Sequence, residues 1–300
     1  MKISVLLIAF GLATALQAQD DGLTDLMATY LAAKLHQDSI DVSNVVVVYN
    51  YRCKTMDADG QPVTDSMRFV LQSGGHCARF YPYHKYLEDT EDATYFTLEN
   101  YATVQADAMC HVPEVWTNYP DGMTTVRDII PPTHYEACEE LDRPTWTIRE
   151  LDTLTINGYR CKTASCKYHE LEWNVRFTED IPVAAGPWKL NGLPGLILEA
   201  ESRDGIHRFA MEGLEKVKTP VFYEHNAITK KVTDKKLVSQ RNKIFGSKLY
   251  ARNPMYYADV RALTQTEDVI YYENGSGEMS EIINGVFVGK KAHVFQPLEK

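Results

Sequence analysis

The chain lacks features that mark several protein classes, and each absence narrows what it can be. No stretch reaches the roughly 20 apolar residues that a membrane-spanning helix needs, the one apolar run near the start included, so no spanning helix is expected. Positive charge is in deficit: 31 Lys and Arg stand against 41 Asp and Glu, a formal net of −10. Such a chain repels phosphate backbones, so nucleic acid is not an expected partner. Cysteine is sparse, with six residues and no Cys-x2-Cys pair. Cys161, Cys166 and His169 come nearest to a metal set and lack a fourth ligand, so no metal site is read. No phosphate-binding loop and no nucleophile–base constellation is legible, so neither a cofactor nor a catalytic residue is assigned. Low-complexity tracts are missing too: 44% apolar and 24% charged residues make an ordinary globular composition with enough for a sizeable core.

The apolar run that is present lies at 3–16, after Lys2 and before a small residue, Ala18. It has the layout of a secretory signal peptide, with 1–18 removed and 19–300 forming a single β-rich domain. The first cysteine is Cys53, so attachment of lipid to a new N-terminal cysteine is excluded, and a periplasmic or secreted location is expected. In an oxidising space an even cysteine count favours disulfides. Most of Cys53, Cys77, Cys110, Cys138, Cys161 and Cys166 are therefore expected to be paired, though spacing does not choose the connectivity. Charge is uneven: residues 214–252 carry ten Lys and Arg against three acidic residues. That stretch suits an anionic surface or acidic partner, and equally a solvated helix face.

Periodicity points to strands. Val45, Val47, Tyr49, Tyr51 and Cys53 alternate with more polar neighbours, and Met67, Phe69 and Leu71 repeat the pattern. Short strands are expected at 77–83, 95–98 and 112–117. His169, Leu171, Trp173, Val175 and Phe177 share the apolar face of one strand, with Glu170, Glu172, Asn174 and Arg176 opposite. Asp204-Gly205 is a two-residue turn that sets Glu201 against Arg208 and Ala200 against Phe209. Asp59-Gly60, Asn157-Gly158, Asn274-Gly275 and Asn284-Gly285 are further turn signals, and 269–272 and 286–295 read as late strands. Two helices are expected: one over 23–35, from the stripe Leu23, Leu26, Met27, Tyr30, Leu31 and Leu35, and one over 234–249 capped by Thr233. The fold class is mainly β, a curved antiparallel sheet, open and half-barrel-like, with two or three helices on or beside it.

Between the strands lie Gly186-Pro187-Trp188 and then Gly192-Leu193-Pro194-Gly195-Leu196-Ile197. Together with Tyr119-Pro120-Asp121-Gly122, the segment 156–164, Trp173 and the closing Pro297-Leu298-Glu299, this run resembles the GLPGLI family of exported Gram-negative proteins. The resemblance spans about 45–254 plus the tail. It implies export and supplies no catalytic residue, because the function of that family is not established. Where the family has a Gly-Arg type turn before the Trp strand, this chain has His169-Glu170. The order of elements is also similar to the lipoprotein-carrier fold, which implies an apolar concave face and a hydrophobic cavity.

Gly192 and Gly195 allow backbone angles closed to other residues, and Pro194 fixes its own φ and restrains Leu193. The motif therefore reads as a rigid reversal built on Gly192, Pro194 and Gly195. A second reading makes it the lip of a binding site, with Trp188 and Leu193 exposed and Trp188, Leu193, Pro194 and Leu196 as binding residues. The functional expectation is a non-catalytic binding or carrier protein for an apolar ligand or a protein segment. Alternatives are an accessory factor of an outer-membrane complex and an unrecognised enzyme.

Overall fold

The computed structural model describes residues 37–57, 60–90, 112–130, 133–225, 229–246 and 293–299, and four strands between 261 and 288. The expected signal peptide, helix over 23–35, strand at 95–98 and turns at 274–275 and 284–285, and Cys110, lie outside the described residues. By its contacts the chain divides into two compact units, residues 1–40 with 222–228 and residues 41–221 with 229–300. In the described part of the first, Gln37 Nε2 donates to Glu224 Oε1 at 3.3 Å, and His225 Nε2 lies 2.8 Å from Asp38 Oδ2.

Most of the described strand residues belong to one open sheet that does not close into a barrel. Its strands are β1 (Gln37–Met56), β2 (Pro62–Gly74), β3 (Ala78–Pro82), β4 (Glu114–Thr117), β5 (Met123–Ile130), β6 (Thr133–Glu140), β7 (Thr147–Ile156), β8 (Tyr159–Tyr168), β9 (Leu171–Thr178), β10 (Leu196–Ser202), β11 (His207–Glu215), β12 (Pro220–Glu224) and β13 (Lys230–Val232). The order is β13-β6-β5-β4-β3-β2-β1-β11-β10-β9-β8-β7, with β12 also pairing β1. Two antiparallel meanders, β1 to β6 and β7 to β11, are thus joined edge to edge by β1 and β11. The β13–β6 pair is parallel. β14 (Arg261–Gln265), β15 (Val269–Glu273), β16 (Met279–Ile283) and β17 (Val286–Val288) form a separate antiparallel sheet; of the strand expected over 286–295, residues 286–288 are strand and residues 293–295 are not.

Turn chemistry fixes the pairings. Asn157 (φ 47°) and Gly158 (φ 88°) reverse the chain between β7 and β8, and Gly205 (φ 71°) does so between β10 and β11. The resulting register is the expected one, Ala200 opposite Phe209 and Glu201 opposite Arg208. His169 and Glu170 do not belong to the Trp173 strand: both have positive φ, 48° and 65°, and they form the turn between β8 and β9. The alternation continued through them by chance of composition.

Two helices occur among the described residues, α1 (Tyr83–Thr90) and α2 (Asp234–Phe245). Thr233 caps α2, its side chain accepting from Lys236 N. Leu237, Arg241 and Phe245, four residues apart, form its buried face, and Gly246 ends it four residues before the expected stop at 249.

One sheet face carries the main core. Val45, Val47, Tyr49 and Tyr51 of β1 pack with Phe69, Phe80, Trp173, Phe177 and Phe209. The Tyr51–Phe209 centroids lie 4.6 Å apart and those of Phe69 and Phe80 5.0 Å apart. On the other face Val46, Val70 and Tyr81 pack with Tyr83 and Tyr86 of α1. The same face of β3 to β6 buries charge: Arg79 lies 2.5 Å from Glu114 and 2.9 Å from Asp89, and Arg127 lies 2.7 Å from Glu136. Burial alone would raise the Glu114 carboxyl, but Arg79, Lys85 and Arg127 hold it at about 2.

The expected disulfides are not formed among the described residues: Cys53, Cys77, Cys138, Cys161 and Cys166 are free thiols. Four of them are buried and act as small apolar side chains. Cys161 and Cys166 sit on one strand, about 16 Å apart at roughly 3.3 Å per residue, far beyond the ~7 Å limit between bridged Cα atoms.

Candidate functional site

The signature segment follows β9 and folds back over the apolar face before β10 begins. Two amides at the start of β10 anchor it, Leu196 N to Ile181 O and Ile197 N to Ala185 O, both at 3.1 Å. Gly192 has φ 89°, the left-handed conformation foreseen for it. Gly195 serves a different purpose, close approach. A Cβ there would overlap Thr178 O and stand 2.7 Å from its carbonyl carbon, so the bare Cα is what lets β10 start against the end of β9.

Trp188 and Leu193 do not form an exposed lip: each is 1% exposed, and Leu196 is fully buried in the same core. The segment lays these side chains onto the aromatic bed instead, with the Trp188 ring 5.9 Å from Trp173 and 5.5 Å from His169. Pro194 alone of the four expected binding residues is exposed. Trp188 holds φ 55°, unusual for a bulky residue and sustained by packing on every side. Its indole Nε1, like that of Trp173, is buried without an acceptor.

A buried ionic cluster ties the tail to this segment. Glu299 pairs with Lys189, beside Trp188, and with Arg241 of α2 at 2.8 Å. Lys189 also meets Asp234 at 3.1 Å, and Arg241 meets Asp128 at 2.6 Å. Asn242 Nδ2 donates to Glu299 O at 2.9 Å. Burial works against the Glu299 charge, but Lys189, Arg241 and His169 hold its carboxyl at about 2. Burial holds the His169 imidazole below its usual value although Glu299 Oε1 lies 3.6 Å away. The basic stretch is thus split: Lys235, Lys236 and Lys243 are exposed, whereas Arg241 turns inward. The paired charges make this cluster a latch on the tail. The buried thiols are poor nucleophiles: burial raises Cys53 to about 11 and Cys77 and Cys166 to about 12.

An accessible concavity lies on the opposite, hydrophilic face of β7 to β11. It is a cleft of about 180 Å³ whose polar lining comes from Arg149, Thr163, Ser165, Asn174, Arg176, Glu199, Glu201 and Arg208. Strand register aligns them. Arg149 stands opposite Thr163, Thr163 opposite Arg176, and Arg176 opposite Glu199. Glu199 pairs with Arg176 and accepts from Arg208 Nη2 at 3.4 Å, so Arg208 reaches diagonally to Glu199 and not to Glu201 opposite it. Of these residues, strand alternation places Asn174 and Arg176 on a wet face, and the Asp204-Gly205 turn pairs Glu201 with Arg208. Arg149, Thr163 and Ser165 belong to strands whose polar positions had not been singled out. The signal was the alternation itself, read on both meander strands together.

Residues 162–199 match a family model described as "Protein of unknown function (Porph_ging)". The matched segment runs from β8 through the signature into β10, and so carries both the Trp188 loop and most of the cleft. No curated protein matches the sequence. Among solved structures, two crystal forms of PNGF-II are 12% and 13% identical, with TM-scores of 0.42 and 0.43, over 76% and 79% of this chain. The chain spans about two-fifths of that protein's length (39% and 40%). The LolA superfamily protein NE2245 from Nitrosomonas europaea is 9% identical with a TM-score of 0.23, over 65% of this chain and 94% of that one.

Proposed function

We propose that this chain is a GLPGLI-type exported, non-catalytic binding protein that captures its ligand on the hydrophilic face of β7 to β11. The observation that carries the reading is the cleft, an open, polar concavity with three arginines and two glutamates held in register by four strand pairings. The apolar face supports it by exclusion. Trp188, Leu190, Leu193 and Leu298 of the protein itself fill that face, so an apolar ligand would have to displace them. The raised thiol values of Cys53, Cys77 and Cys166 weigh against a cysteine enzyme. In this reading Gly192, Pro194 and Gly195 are structural, and Trp188, Leu193 and Leu196 brace the frame that holds the cleft.

Native mass spectrometry of protein isolated from its own cell envelope tests this, with hydrogen exchange before and after stripping the bound species. A co-purifying molecule that protects amides of β7 to β10 is expected. A bare chain whose outer-face amides exchange alike in both states would remove the proposal. A second reading, an accessory factor meeting a protein partner, is favoured by β7 itself. It ends the sheet order among the described residues and exposes Ile148 and Leu154, 40% and 44% accessible. Cross-linking from position 148 to a defined envelope protein would favour it.

A further inference from the structure

One row of the cleft combines donors in a way that a plain solvated sheet face does not need. Thr163 stands on β8 between Arg149 of β7 and Arg176 of β9, each directly opposite it. Directly opposite residues in an antiparallel pair hold their Cβ atoms about 4.5–5.5 Å apart, so the hydroxyl and two guanidinium stems rise side by side from three adjacent strands. The Thr163 Oγ1 atom is buried and has no hydrogen-bond partner. A buried hydroxyl left unpaired is costly and calls for a missing partner. Arg149 is exposed and has no carboxylate partner among the described residues. Arg176 and Arg208 share one carboxylate, Glu199, and each keeps unused N–H groups. Over the whole lining, three guanidiniums face two carboxylates, which leaves one positive charge in a protein that is otherwise acidic.

From this juxtaposition we propose that the Arg149–Thr163–Arg176 row is an oxyanion cradle, and that the cleft's ligand carries a carboxylate, sulfate or phosphate group. The claim rests on the binding reading above and names its ligand class. Arginine forks suit planar and tetrahedral oxyanions because they offer parallel N–H donors, and the threonine hydroxyl supplies a further donor between them. Glu199 keeps Arg176 oriented and prevents three unpaired arginines from repelling one another. Glu201 at the far side of the cleft opposes a second anionic group, so the cradle takes one oxyanion of a small molecule and not a polyanion.

The test is an amide chemical-shift titration of the full chain with sodium phosphate, sodium sulfate and sodium acetate in turn, ionic strength held constant with sodium chloride. Saturable shifts confined to β7, β8 and β9 around Thr163 are expected with at least one of them. Comparing the three salts separates tetrahedral anions from carboxylates. Arg149→Gln should weaken that binding about tenfold, the loss of one charge-assisted contact, and Thr163→Val by several-fold. Arg203→Gln, at a turn where Arg203 pairs with Glu172, should leave it unchanged. Arg149 and Thr163 lie on the wetter sheet face, so both variants keep the core intact, and their unperturbed spectra away from the cleft verify this. Non-saturating shifts spread over every basic patch, or binding unaffected by both cleft variants, would overturn the cradle. A neutral molecule recovered from the native protein and seated in the cleft would overturn the ligand class alone and leave the binding reading standing. If neither added anions nor a co-purifying molecule protects β7 to β10, both fall.

Discussion

Replacing Gly195 by alanine tests whether the signature glycine is there for space or for backbone conformation. Gly195 is not among the positive-φ residues, so alanine meets no left-handed penalty there. What it meets is the neighbouring strand. Its Cβ would overlap Thr178 O and stand 2.7 Å from the Thr178 carbonyl carbon and 3.0 Å from Glu179 N. Carbon atoms in ordinary contact stay about 3.5–4.0 Å apart, so β9 and β10 must part by roughly 1 Å at this point. Overpacking costs about 1–3 kcal/mol, and the upper end applies because the obstacle is paired backbone and not the tip of a flexible side chain. Gly192→Ala is the matched comparison. Its φ is 89° and its added Cβ meets only the Arg143 side chain at 3.6 Å, so it pays only the left-handed backbone penalty, about 1–2 kcal/mol. Urea denaturation with an unchanged m-value should rank Gly195→Ala about 3 kcal/mol below the parent and Gly192→Ala between them. Equal stability of Gly195→Ala and the parent, or the reverse ranking, would refute the close-approach argument.

Trp188→Ala should cost about 3–5 kcal/mol, because the side chain is 1% exposed and leaves a cavity against Trp173; denaturant midpoints check it. Acid should weaken the tail latch. The Glu299 carboxyl is held at about 2 against an ordinary 4.5, so its contribution is fully present above 4.5 and is lost as pH falls from 4.5 through 2. Glu299→Gln should therefore lose less stability than the parent between about pH 5 and about pH 3, and an equal loss would contradict the assignment. Alkylation with mass analysis should label Cys138 in the native protein and Cys53, Cys77, Cys161 and Cys166 only after unfolding without reductant; a protein in which these stay unreactive when unfolded carries disulfides that the structure lacks.

Much of the sheet was legible because its signals are local. A two-residue turn at Asp204-Gly205 forces the register of β10 on β11, and alternation in β1, β2 and β9 marks which face is buried. What escaped the sequence depends on partners far along the chain. Arg241 and Glu299 are 58 residues apart and are buried because each neutralises the other, so nothing near either distinguishes it from a solvated charge. In β5 and β6, Thr125, Arg127 and Glu136 are buried on the face opposite the main core, which erases the polar-out pattern that reveals a strand. α1 spans eight residues, too few for helical periodicity to stand out. His169 was carried into β9 by an alternation that the backbone does not continue.

The signature motif and the cleft lie on opposite faces of the sheet, yet one contact serves both. Gly195 seats the first residues of β10 against Thr178, the last residue of β9, and Leu196 stands opposite Thr178 in the register. Between Ile197 and Glu199 the register shifts, and beyond that irregularity Glu199 falls opposite Arg176 and Glu201 opposite Asn174. Successive strand residues point to opposite faces, so a slip of one residue at this junction would turn Glu199 towards the core and bring an apolar side chain into the cleft. The close approach at Gly195 therefore fixes more than the apolar packing around Trp188: it determines which carboxylate meets Arg176. On this argument a Gly195 substitution that remains folded should perturb the amides of Arg176 and Glu199 and weaken anion capture, while Gly192→Ala, which leaves the β9–β10 contact untouched, should lower stability and spare binding.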